Sequence, residues 1–207
     1  MIKLAINLPE KFYVACSGGR DSMSALSFLR NSRNKVGVAF FDHNTQHSRD
    51  AKFFVKEHCI ENDIECVIGK IDPLKYSKGM SMEAFWSKER NEWFNSLEAP
   101  VVTAHHLNDA VEWWIYSSLK GNPSLMGLSN NNVLRPLLIT EQKELYFWSE
   151  KNNVNYICDP SNDELDYNRN FIRHKMMKDA LKVNPGLFKT IKKKYLKHGS
   201  KKRKTKY

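Results

Sequence analysis

The stretch Cys16-Ser17-Gly18-Gly19-Arg20-Asp21-Ser22 decides the fold of this chain. It follows a short apolar run at 12–15, typical of a buried strand, and precedes apolar residues at helical spacing from Met23 to Leu29. Strand, glycine-rich turn and helix in this order predict a phosphate site. The reason is that two glycines let backbone N–H groups converge on an anion at the start of a helix. The serine hydroxyls add donors, and Asp21 is suited to holding Mg²⁺. The alternative is an ordinary Ser/Gly turn.

Strand-like and helix-like segments alternate along the rest of the chain. The first strand is predicted at 12–16. Further strands are predicted at 35–41, 64–68 and 100–104, with a short one at 154–158. Helices are predicted at 46–62, from Ser81 onward, from His105 onward, at 141–151 and at 185–197. This alternation predicts an α/β fold with a doubly wound, mostly parallel sheet.

Composition indicates one core and a basic appendage. The chain has 207 residues, of which 41% are apolar, and a net charge of +10. Asp179 is the last acidic residue. Eleven Lys and Arg follow it, whereas the chain before has 22 basic and 23 acidic residues. Such a tail attracts polyanions such as RNA, although a solubilising tail fits equally well. The candidate RNA contacts are Lys192, Lys193, Lys194, Lys201, Lys202, Arg203 and Lys204.

The four cysteines show no C-x-x-C pair and no zinc spacing, and no apolar run has the length of a membrane span or the pattern of a signal peptide. We therefore expect reduced thiols, no membrane partner and a cytoplasmic protein. The oligomeric state is open, with a homodimer as one option.

A second informative stretch lies at 105–112, directly after the predicted strand at 100–104. On a helix, His105, Asp109 and Glu112 fall on one face, spaced i, i+4, i+7. The opposite face is apolar and is formed by Leu107, Val111, Trp114 and Ile115. A histidine with two carboxylates at a strand end predicts a metal or acid–base site, with a solvated helix face as the alternative.

The phosphate stretch resembles the pyrophosphate loop of N-type ATP pyrophosphatases, which form AMP and pyrophosphate. With the other motifs, the chain resembles the tRNA(Ile)-lysidine synthetases over residues 10–180. The resemblance is carried by S-G-G-R-D-S at 17–22, E-A at 83–84 with Arg90, A-H-H-L-N-D-A-V-E at 104–112, R-P-L-L at 135–138, and D-P-S-N…Y-N-R-N-F-I-R-H at 159–174.

The resemblance implies an adenine-nucleotide α-hydrolase-like fold. Residues 1–180 would form a PP-loop catalytic domain and 181–207 a basic helical or disordered tail. It also implies ATP-dependent ligation of lysine to C2 of the wobble cytidine in tRNA(Ile) with a CAU anticodon, through an adenylated cytidine. Relatives carry further C-terminal domains, so a short form without them is expected.

The resemblance also assigns roles to residues. ATP and pyrophosphate would be bound by Ser17, Gly18, Gly19, Arg20, Asp21 and Ser22, with Asp21 holding Mg²⁺. Free lysine would be bound by Asp109, Glu112 and Arg173. Arg90 and His105 would stabilise the adenylated intermediate.

Two departures from the family lie beside the predicted acidic face. Trp113 stands where relatives usually have threonine, and 120–123 reads Lys-Gly-Asn-Pro where they have a stretch like R-G-S-G. Two other functions remain open: another AMP-forming tRNA-modifying enzyme such as a thiolase, and an inactive nucleotide- or RNA-binding protein. Thiolases of this kind usually show cysteine pairs, and this chain has none.

Overall fold

Strand β1, Lys11–Ala15, lies inside a six-stranded sheet from which the fold is built outward. A computed structural model describes residues 1–76, 79–158 and 168–203, and their side chains over 1–76, 79–158 and 170–197. The other strands are β2 Lys35–Asp42, β3 Cys66–Lys70, β4 Val101–Val102, β5 Ser129–Asn130 and β6 Val133–Leu134. Their order across the sheet is β3-β2-β1-β4-β6-β5, and every pair except β5–β6 is parallel.

Helices connect these strands and continue beyond the last one. They are α1 Arg20–Arg30, α2 Gln46–Glu61, α3 Met82–Ser96, α4 Leu107–Leu119, α5 Gln142–Lys151, α6 Asn168–Phe171, α7 Met177–Val183 and α8 Leu187–Arg203. A 3₁₀ turn lies at Pro73–Lys75, and a π-helical segment at Ile172–Met176 joins α6 to α7. The predicted α/β class with a mostly parallel sheet is confirmed.

The sheet brings two loops to one point. Val14 of β1 pairs with Val38 of β2 on one side and Val102 of β4 on the other. The chain therefore leaves β1 and β4, which are parallel neighbours, at the same edge of the sheet. The loops before α1 and α4 start there, at the switch point where α/β sheets commonly bind ligands.

Helix α8 packs on the body of the protein. Ile191 and Tyr195 are buried against Leu107 and Val111 of α4, and the Tyr195 hydroxyl donates a hydrogen bond of 2.8 Å to the Met126 carbonyl. Helix α8 continues to Arg203, beyond the predicted helix end at residue 197. The division into two units at residue 180 stays a prediction.

Local backbone chemistry explains three differences from the predicted elements. Strand β3 begins at Cys66, not at residue 64, because Asp63 is left-handed and the Ile64 N–H donates to the Cys59 carbonyl at the end of α2. Helix α4 begins two residues late, at Leu107. The segment 154–158 is not a strand; it crosses the first loop, where the Ile157 N–H donates to the Gly18 carbonyl at 2.9 Å. Among the described helices, none combines the length and apolar character that crossing a membrane requires.

Candidate active site

The loop between β1 and α1 is closed by its two serines. The Ser17 N–H donates to the Ser22 Oγ at 3.2 Å, the two hydroxyl oxygens lie 3.3 Å apart, and the Ser22 hydroxyl donates to the Gly19 carbonyl at 2.9 Å. Gly18 has φ +82°, a conformation that side chains rarely adopt. These internal bonds hold the loop and its two hydroxyls at the amino end of α1, where an anion is favoured.

The side chain of Arg20 contacts α5 in this structure. Its Nη2 donates to the Glu150 carboxylate at 2.6 Å and to the Tyr146 carbonyl at 3.3 Å, and the guanidinium lies 4.0 Å from the centre of the Tyr146 ring. Any contribution of Arg20 to phosphate binding would therefore come from its backbone.

Asp21 has the position that a metal ligand beside phosphates requires. Its carboxylate is 36% exposed, accepts long hydrogen bonds of 3.4 Å from Gln142 Nε2, and lies at the start of α1. Mg²⁺ is commonly held by one or two carboxylates together with substrate phosphates, so one aspartate at a phosphate loop fits this ion.

His106 begins α4 and links it to Asp21. The Asp109 N–H donates to His106 Nδ1 at 3.4 Å, and Asp109 Oδ2 accepts from the His106 N–H at 2.8 Å, so the two residues cap the helix reciprocally. The other ring nitrogen, Nε2, lies 3.6 Å from Asp21 Oδ2. Burial lowers the pKa of His106, but the charges of Asp109, Asp21 and Glu112 outweigh burial and raise it.

Arg173 joins the two carboxylates of α4. Its Nε donates to Glu112 Oε1 at 2.8 Å and its Nη2 to Glu112 Oε2 at 3.0 Å, and Nη2 also donates to Asp109 Oδ1 at 3.1 Å. Asp109 and Glu112 are 5% and 4% exposed. Burial opposes the charge on Arg173, but the Glu112 hydrogen bonds and the nearby carboxylates outweigh burial and raise the pKa of the guanidinium.

His105 lies outside the helix on which it was predicted. It precedes the cap residue, and its Nδ1 is 2.8 Å from the Thr103 hydroxyl. The prediction that His105, Asp109 and Glu112 share one helical face is therefore wrong for His105, because the capping residue is the second histidine of the pair.

Arg90 lies on α3 and acts electrostatically on His43, at the end of β2. Burial and the positive charge of Arg90 lower the pKa of His43 to about 4, although Asp42 opposes them. The His43 ring contacts the rings of Phe41 and Trp86, at 5.1 and 5.4 Å between ring centres.

The basic residues predicted to bind RNA lie on α8 or beyond it. Lys193 and Lys194 are exposed, and Lys192 is half-buried. The backbone of Lys201, Lys202 and Arg203 continues α8, while their side chains, Lys204 and the 159–167 part of the last motif lie outside the described residues.

His106 and Gln142 contact Asp21 in this site, although neither was predicted from the sequence. His106 had a usable signal, since a polar residue three positions before Asp109 matches the spacing of a reciprocal helix cap. Gln142 had none, because it reaches Asp21 only through the packing of α5 against α1.

Together these contacts form one polar cluster, defined here as Asp21, His106, Asp109, Glu112 and Arg173. Charged contacts of 3.6 Å or less connect it from the phosphate loop, across the start of α4, to the π-helical segment, although His106 Nε2 and Asp21 are too far apart for a hydrogen bond. The cluster offers one partly exposed carboxylate beside the loop and two buried carboxylates that hold a cation.

Curated relatives of this chain are named tRNA(Ile)-lysidine synthase. The relative from Thermosipho africanus is 30% identical in an alignment of 192 residues that covers 85% of this chain and 45% of the relative. The relative from Francisella tularensis subsp. novicida is 27% identical in an alignment of 198 residues that covers 88% of this chain and 49% of the relative. The chain thus spans about half the length of the curated relatives it matches.

Among solved structures, the NMN synthetase from Francisella tularensis aligns with 94% of this chain and 87% of its own, at 14% identity and a TM-score of 0.48. The family model described as the PP-loop domain matches residues 3–180, which include the phosphate loop, α4 and Arg173. This chain therefore belongs to the PP-loop domain family.

Proposed function

We propose that this protein ligates free lysine to C2 of the wobble cytidine of tRNA(Ile) with a CAU anticodon. The products would be lysidine, AMP and pyrophosphate. One observation carries the proposal: the polar cluster joins the phosphate loop to two buried carboxylates and an arginine drawn from distant parts of the sequence. The names of the curated relatives support the same reaction.

In the first step, the cytidine O2 would attack the α-phosphorus of ATP and pyrophosphate would leave. The loop amides and the hydroxyls of Ser17 and Ser22 would bind the departing phosphates, where negative charge develops. Asp21 would hold Mg²⁺, which supplies positive charge to those phosphates when bound. The resemblance gives Arg90 and His105 the role of stabilising the adenylated cytidine.

In the second step, a lysine amine would attack C2 and AMP would leave. Asp109 and Glu112 would bind the lysine ammonium, and one of them would take the proton that the amine must lose before it attacks. Both carboxylates hold Arg173 in this structure. Lysine binding is thus proposed to exchange one cation for another and release Arg173 toward the lysine carboxylate.

This exchange has a physical advantage. Two buried carboxylates without a cation would be costly, whereas an arginine that stands in until lysine arrives keeps the charge balanced throughout. The guanidinium then gains a carboxylate partner of the kind it binds best. ATP, free lysine and tRNA meet in the cytoplasm, which is accordingly the proposed location.

The test is incorporation of radiolabelled lysine into tRNA(Ile) with a CAU anticodon by purified protein, ATP and Mg²⁺. We expect label in the tRNA, and a loss of at least about a hundredfold in Asp109→Asn, since it removes a cation ligand and a proton acceptor. Asp179→Asn is the matched control, because Asp179 is an exposed aspartate on α7 that forms an ion pair with Lys182. It should keep full activity.

Pyrophosphate release separates this reaction from the alternatives. Pyrophosphate release with another RNA or a small molecule, without lysine incorporation, would support the ATP chemistry but contradict lysidine synthesis. A thiolase would give this result. Absence of both signals would favour a binding protein.

A further inference from the structure

A stripe of side chains leads out of the polar cluster along α4. Asp109, Trp113, Tyr116 and Lys120 are spaced by four, three and four residues, so at 100° per residue they fall within about 60° of one another around the helix axis. The stripe begins at a buried carboxylate, 5% exposed, and continues to a tryptophan that is 40% exposed. It therefore connects the candidate active site to the protein surface.

The aromatic part of the stripe is held in place. The Trp113 indole N–H donates to the Ser124 hydroxyl at 3.2 Å, and the Ser124 N–H donates to the Ser117 hydroxyl at 3.0 Å. These bonds fold the turn after α4 back onto the helix. The Trp113 and Tyr116 ring centres lie 6.0 Å apart, and Lys120 Nζ lies 4.7 Å from the centre of the Tyr116 ring.

Positive charge lies beside α4 also on its apolar face, where α8 packs, away from the stripe. Helix α8 packs beside α4, and Lys194 Nζ lies 5.0 Å from the centre of the Trp114 ring. Lys193 and Lys194 are exposed, and no acidic residue follows Asp179 in the chain. The stripe itself thus carries an exposed Trp113, a half-buried Tyr116 and the exposed cation Lys120 beyond a buried acidic site.

We propose that Trp113 and Tyr116 stack on unpaired bases of the RNA loop that delivers the reacting cytidine, while Lys120 contacts its phosphates. Single-stranded loops are recognised through bases stacked on aromatic side chains, with cations along the backbone. From Asp109 to Trp113 the helix rises only about 6 Å, so a base on Trp113 lies next to a nucleotide at the polar cluster. This inference rests on the proposed function.

The test compares RNA binding by the full-length protein and three variants. The probes are a fluorescein-labelled hairpin with a CAU anticodon loop, and a blunt duplex of the same stem, measured by fluorescence anisotropy. Trp113→Leu should raise the Kd for the hairpin by about five- to a hundredfold, the range expected for loss of one base–aromatic stack. It should leave the Kd for the duplex unchanged, and Trp113→Phe should restore most of the hairpin affinity. Phe53→Leu is the matched control, because Phe53 is a 68% exposed aromatic on α2.

Two outcomes would overturn the inference. One is equal hairpin affinity in Trp113→Leu and Phe53→Leu. The other is a change in oligomeric state in Trp113→Leu, seen by light scattering, which would make the stripe a protein interface. Lysine incorporation by the wild-type protein is measured in parallel. If the wild-type protein incorporates no lysine while Trp113→Leu still weakens hairpin binding, the proposed function is wrong but RNA binding by the stripe is supported.

Discussion

At the residue scale, Gly18 combines a positive φ with little room. A Cβ at this position would lie 3.2 Å from Cγ1 and Cδ1 of Ile157, in a backbone conformation with φ +82°. Gly18→Ala should therefore lower the free energy of unfolding by about 1–2 kcal/mol. Gly19→Ala is the control, since a Cβ there meets nothing closer than the Ser17 hydroxyl at 3.5 Å and φ is −74°. Urea denaturation measures both; equal stability of the two variants would contradict the strain argument.

Arg173 is the second residue whose loss has a definite energetic consequence. Arg173→Ala leaves two buried carboxylates without their guanidinium and should cost about 2–3 kcal/mol, somewhat less than for a fully buried pair because its side chain is 28% exposed. Glu112→Gln should recover part of that loss in the double variant, because one unpaired charge is then removed. Urea denaturation of the four proteins of this cycle checks the coupling. Additive losses would mean that the pair contributes no interaction energy.

At the element scale, β2 and α3 meet at a titratable contact. His43 at the end of β2 is mainly uncharged because burial and Arg90 of α3 hold its pKa at about 4, below its ordinary value of 6.5. Neutral His43 therefore stabilises the folded protein above its unfolded pKa of 6.5, and this stability is lost as the pH falls from 6.5 through the folded pKa of about 4.

We therefore expect the unfolding free energy to fall by about 1 kcal/mol between pH 7 and pH 5 from this one group, after allowing for its partial exposure. His43→Gln should remove that part of the decline. Urea denaturation at the two pH values measures it, and an equal decline in both proteins would show that other groups are responsible.

Elements differ in how far sequence alone predicts them. The apolar face of α4 was predictable because Leu107, Val111, Trp114 and Ile115 follow helical spacing, and they do pack inward. The start of α4 was missed although its signal is in the sequence: of the two adjacent histidines, only His106 stands three positions before Asp109, the spacing of the reciprocal cap that the structure shows. The segment 154–158 has strand-like residues, but its backbone bonds with the Gly18 loop instead of a strand.

At the scale of the whole molecule, the candidate site depends on contacts between distant parts of the chain. Glu112 and Arg173 are 61 positions apart and meet through the packing of the segment after α6 onto α4. The sequence motifs predicted Asp109, Glu112 and Arg173 as site residues, and the strand order explains why the loops before α1 and α4 converge. Nothing in local sequence indicates that Arg173 would hold the carboxylates expected to bind lysine, because that depends on which cation is present.

The predicted boundary at residue 180 can be tested by truncation. A chain of residues 1–180 loses Ile191 and Tyr195, which are 0% and 3% exposed, so it should lose about 3–6 kcal/mol of apolar burial. That is a large part of the stability of an ordinary domain. A chain of residues 1–197 keeps both side chains and is the control. Thermal unfolding should show a much lower midpoint for 1–180 only; equal midpoints would support a separate domain ending at 180.

The packing of α8 on α4 also bears on how the protein is made. Leu107 and Val111 are covered by side chains that leave the ribosome about 80–90 residues later, roughly 5–20 s at ordinary rates of synthesis. For most of that interval the phosphate loop and strands β1 to β4 have been synthesised, whereas the acidic face of α4 still lacks Arg173 and its apolar face still lacks α8. A nascent chain would thus complete its phosphate loop first and the pairing of Asp109 and Glu112 with Arg173 later.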